Sequence, residues 1–102
     1  MGFSTSRVVW LNNGYGVEFV ISEQYSIDFH VVTERDKTLI ADSKVCIGSD
    51  SAIRAEDETA KDFAIRARLI GLAFAEEMIE EHKAALALSA ILDEVVCKGT
   101  TE

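Results

Sequence analysis

The sequence predicts an α+β fold in one domain spanning residues 1–102: an N-terminal antiparallel β-meander of three or four strands packed against a C-terminal long helix or helical hairpin. Three observations predict it. β-Branched and aromatic residues dominate before residue 50, and Ala, Glu, Leu, Ile and Arg dominate after it, a change from strand-forming to helix-forming composition. The apolar residues change period at the same place, from alternation to spacings of three and four. The connections between the extended segments are too short for a helical crossover, so neighbouring strands are expected to pair antiparallel. Strands are expected over about 7–47 and helices over about 51–97.

Arg7 to Leu11 reads as the first strand. Asn12-Asn13-Gly14 follows, and Asn and Gly tolerate the positive φ that a tight hairpin turn requires. Gly16 is expected to lengthen or bulge this connection. Val17 to Ile21 is the second strand, with Val17, Phe19 and Ile21 on one face. After a polar turn over 22–25, Ser26 to Val32 alternates cleanly: Ile27, Phe29 and Val31 point one way, and Ser26, Asp28 and His30 the other. Such a strand has one buried and one wet face. Thr33 to Lys37 is a charged turn. Thr38 to Ala41 and Lys44 to Ile47 are extended, as one strand bent at Asp42-Ser43 or as two.

Ser49, Asp50 and Ser51 offer side-chain oxygens as helix N-caps, and Thr59 followed by Asp62 offers a second start. Ala60, Phe63, Ala67, Ile70 and Phe74 then recur at helical spacing, widened by Ile65, Leu69, Leu72 and Ile79. Gly71 falls inside this pattern, at a cost of about 1 kcal/mol relative to Ala, and reads as a point of close packing against the sheet. Glu80 to Lys83 interrupts the stripe and Ala84 to Leu92 restores it, with neither Pro nor Gly between 72 and 98. One helix of nearly forty residues, about 60 Å long, and a hairpin turning near 82–84 both fit. Lys98-Gly99 is a suitable stop. The core is expected from Val8 or Val9, Trp10, Val17, Phe19, Ile21, Ile27, Phe29 and Val31 of the sheet, and from Phe63, Ala67, Ile70, Phe74, Leu88, Ile91 and Val95 of the helices.

Composition narrows function by exclusion. Hydrophobic residues are 48% of the chain, too many for an intrinsically disordered protein. Eighteen acids against ten bases leave a net charge of −8, which opposes direct binding to nucleic acid or to an anionic membrane and favours a basic protein partner. Cys46 and Cys97 form no C-x-x-C pair and are expected reduced, packed in apolar runs. Met1 to Ser6 holds no signal-peptide core, and no window is apolar enough for a membrane span, so a cytoplasmic location is expected. Gly2 and Ser6 fit the short myristoylation pattern, which matches many sequences by chance. His30 and His82 have no second ligand at metal spacing, and His30 reads as a solvent-facing strand residue beside Asp28. With no P-loop, dinucleotide fingerprint or nucleophile elbow, no catalytic, cofactor-binding or metal-ligating residue is assigned, and no cofactor is expected.

Two surfaces remain. Ala84, Leu86, Ala87, Leu88, Ala90, Ile91 and Val95 spread around a helix that one sheet cannot cover on every side, which points to a homodimer. Glu56, Asp57, Glu58, Glu76, Glu77, Glu80 and Glu81 form acidic patches that could imitate a phosphate row and occupy the cationic groove of a nucleic-acid-acting enzyme, as a phage-related inhibitor would. Against that second reading, residues 50–83 carry five bases among nine acids. The expected function is therefore a small acidic interaction module, an adaptor or regulator, with the nucleic-acid mimic as the alternative and a small enzyme as the least favoured.

Overall fold

The computed structural model describes residues 4–34 and 44–99. Strands β1 (Thr5–Trp10), β2 (Tyr15–Ile21), β3 (Ser26–Glu34) and β4 (Lys44–Ile53) form one sheet in the order β1-β2-β3-β4, and helix α1 (Ala60–Gly99) packs on one face of it. All three pairings are antiparallel, with Val9 opposite Val17, Phe19 opposite Phe29, and Ile27 opposite Ala52. The fold is the α+β meander with a C-terminal helix that the sequence predicts. Met1 to Phe3, and the question of a bend at Asp42-Ser43, lie outside the described residues.

The β1–β2 turn is built from its local chemistry. The Leu11 amide donates to the Tyr15 carbonyl over 2.7 Å, and the Tyr15 amide donates to Asn13 Oδ1 over 3.2 Å. Gly14 has φ of 85° and supplies the left-handed residue. Gly16 is not part of the turn. It lies within β2 under the Trp10 indole, where a Cβ would stand 2.7 Å from the ring. Trp10, Gly16, Val32 and Cys46 therefore form one cross-strand row on the face turned away from the helix. That placement leaves Trp10 45% exposed rather than in the main core, while Val32 in the same row is buried.

Several boundaries differ from the sequence reading: β2 opens at Tyr15 rather than Val17, and Thr33 and Glu34 belong to β3, opposite Val45 and Lys44, rather than to a turn. Ser49, Asp50 and Ser51 do not cap a helix. They belong to β4, opposite His30, Phe29 and Asp28, and Ala52 beyond them is buried against the core. An edge strand tolerates polar residues because one of its sides faces water, so pairing with β3 prevails over local capping. The helix begins instead after Thr59, whose Oγ1 accepts the Asp62 amide at 3.1 Å. Nor is there a hairpin near 82–84: α1 is a single helix of 40 residues. Glu80, Glu81 and Lys83 sit exposed on it and impose no break.

The core lies between the sheet and the first half of α1. Tyr15, Val17, Ile27, Phe29, Val31 and Ala52 meet Phe63, Ala67, Ala75 and Ile79, with Phe19, Leu72, Phe74 and Met78 at the margin. Gly71 plays the expected part, since a Cβ there would lie 2.6 Å from the Phe19 ring. Ile21, Ile70, Leu88, Ile91 and Val95 are exposed and do not belong to this core. Ile21 lies near the end of its strand, and the last three lie past the end of the sheet.

Candidate interaction surface

The sheet positions the helix at both ends of their contact. At the start, Glu58 accepts both Arg66 Nε and Nη2 at 2.8 Å, and also the Ala55 amide at 2.9 Å. Arg66 Nη2 reaches back to the Ile53 carbonyl, and Arg54 Nε bonds the Glu58 carbonyl at 3.0 Å. This cluster locks the connection from β4 into α1. The bidentate Arg66 bond, helped by the Ala55 amide, holds the Glu58 carboxyl at about 2, far below its ordinary 4.5. At the far end, Tyr15 Oη and His82 Nδ1 share a 2.8 Å hydrogen bond, with their rings edge to face.

His82 is where the sheet runs out. Every residue from Lys83 to Val96 is exposed, fourteen in succession. Among them Leu86, Leu88, Ile91, Leu92, Val95 and Val96 are 51–65% exposed. The predicted interface residues Ala84, Leu86, Ala87, Leu88, Ala90, Ile91 and Val95 all stand on this free length. At 100° per residue, Ala84, Leu88, Ile91 and Val95 form one stripe with Ala87 at its margin, while Leu86 and Ala90 fall on the opposite side. Ala85 and Leu92 complete the stripe and were missed by the sequence reading; their spacing of three and four from Leu88 was the signal. Ala85, Leu92 and Val96 also prolong the line of Ala67, Gly71, Phe74 and Met78 that rests on the sheet. The apolar stripe outlasts its cover.

The shape records the same excess. The molecule measures 66 × 27 × 26 Å, with a radius of gyration of 17.8 Å against about 13 Å for a compact chain of this length. Its accessible surface is 7466 Å², where a folded monomer of 11.2 kDa exposes about 5,700 Å².

The acidic residues are divided. Glu56 and Asp57 occupy the turn before α1, and Glu58 is tied to Arg66. Glu76, Glu77, Glu80 and Glu81 lie exposed further along α1, roughly 25 Å away by helical rise. Cys46 is exposed on β4 rather than packed in the core, and its thiol reaches the Gly48 carbonyl at 3.4 Å. A depression of about 230 Å³ between the 21–27 region and the start of α1 is lined almost wholly by apolar surface. Arg54 at its rim is already spent on backbone carbonyls of Gln24 and Glu58. Among the described residues, no three His, Cys, Asp or Glu are grouped to hold a metal ion, and no helix is long and apolar enough to cross a membrane. No family model, curated protein or solved structure matches this chain.

Proposed function

We propose that this protein is a small acidic interaction module of the cytoplasm, an adaptor or regulator, that assembles as a homodimer through the second half of its helix. The observation that carries the reading is the uncovered length from Lys83 to Val96, apolar over most of its circumference. An isolated helical extension gains only intrinsic propensity from such residues in water, because most helical stability in proteins comes from packing an apolar face. Burying the exposed part of Leu88, Ile91, Leu92 and Val95 on two chains returns about 1 kcal/mol or more for each side chain. That total is comparable with the roughly 4–15 kcal/mol that association costs, so the contact must use most of the stripe.

The nucleic-acid mimic has weaker support. One member of its acidic set, Glu58, is already satisfied by Arg66, and the rest are separated along the helix. Light scattering at micromolar concentration tests the proposal. The expected mass is that of two chains. A mass of 11.2 kDa that persists as concentration rises would refute it.

A further inference from the structure

Resting on that reading, we infer that the partner is a second copy running antiparallel, with the two-fold axis at Leu88. The area argues for a copy of this chain. Its surface exceeds that of an ordinary monomer by about 1,800 Å², whereas a stable interface takes about 800 Å² from each partner. The surplus exceeds what one partner of a stable interface gives up.

Side-chain size argues for the direction. Along the stripe, the small residues Ala84 and Ala85 precede Leu88, and the large residues Ile91 and Leu92 follow it. Reversing a second copy about Leu88 sets Ala84 against Leu92 and Ala85 against Ile91, with Leu88 meeting itself. Large side chains then fall opposite small ones on both halves, which lets the helices approach closely. A parallel pair in register would instead set alanine on alanine, leaving a gap, and leucine on leucine, forcing the helices apart.

Charge argues the same way. Ala84 to Leu92 carries no charged residue, with Lys83 before it and Asp93-Glu94 after it. Lys83 and Asp93 lie about 140° around the helix from Leu88, away from the seam, so the antiparallel register sets the basic end of each stretch level with the acidic end of the other without pairing them. A parallel register would align the acidic ends of two chains that each carry −8. Antiparallel helices also oppose their macrodipoles.

Oxidative cross-linking tests this on the full chain with Cys46 and Cys97 replaced by Ser. A disulfide needs Cα atoms within about 7 Å, so it reads register directly. Leu88→Cys is expected to form a disulfide dimer with itself. Ala84→Cys is expected to form none alone, yet to couple to Leu92→Cys when the two variants are mixed. Self-coupling of Ala84→Cys in a protein of dimeric mass would overturn the antiparallel arrangement and leave the homodimer standing. A dimeric mass with no coupling in any variant would place the contact elsewhere and overturn the register. A monomeric mass for the unsubstituted chain would overturn the underlying reading as well.

Discussion

Glu58 shows how a single residue can serve architecture rather than surface charge. Its carboxylate joins the end of β4 to the second turn of α1 through Arg66, and the bond is worth having only while the acid is ionised. With the folded value near 2 and the ordinary value at 4.5, the unfolded chain binds the proton first as pH falls. The stability contributed by Glu58 is thus complete above about 4.5 and disappears toward 2. Thermal unfolding of Glu58→Gln should therefore show a lower Tm than the unsubstituted chain at pH 7, with the two converging by pH 2. Equal Tm values at pH 7 would show that the connection holds without this carboxylate. At this scale the sequence was only partly legible. Gly71 announced close packing because a helix rarely tolerates glycine without reason. Glu58 looked like one acid of a patch, since its partner Arg66 lies two turns into a helix whose start was undetermined.

The helix is two different objects joined end to end. Phe63 in the covered half is buried against the sheet, and Leu88 in the free half is 65% exposed. Phe63→Ala should cost about 3–5 kcal/mol in urea unfolding, the ordinary result of emptying a buried aromatic site. Leu88→Ala should change the stability of the isolated chain by less than about 0.5 kcal/mol and should act on association instead. If Leu88→Ala proved as costly as Phe63→Ala in dilute monomer, the free half would have to pack against its own chain. The element boundaries show where local rules yield. Ser49 to Ser51 carries good capping chemistry, yet β3 offers hydrogen bonds over the same residues and the ladder prevails. The charged run Glu80 to Lys83 resembles a turn, but these are good helix formers and no Gly or Pro compels a break.

Over the whole molecule, a body no wider than 27 Å carries a helix that brings its length to 66 Å. An extension of this kind is stable as an ordered element when something shares it. A dimer that folds with its partner should show a Tm that rises with protein concentration, as mass action requires. Because the contact proposed is apolar and both chains are acidic, raising salt should leave association unchanged or strengthen it. Dissociation on adding salt would point instead to an electrostatic contact, as the acidic-mimic reading requires.

The sequence by itself determined the division into strands and helix, the antiparallel order of the meander and the placing of Val17, Phe19, Ile27, Phe29 and Val31 on the face of β2 and β3 that meets the helix. These are written in period and turn chemistry, which act over a few neighbouring residues. Only the tertiary structure decided where the helix begins, that it does not fold back, that Trp10 lies on the far face over Gly16, and which leucines and alanines lack cover. The reason is geometric: an apolar period can continue along a chain for as long as the composition allows, but the sheet beneath it ends where its strands end, at the turn of helix held by Tyr15 and His82.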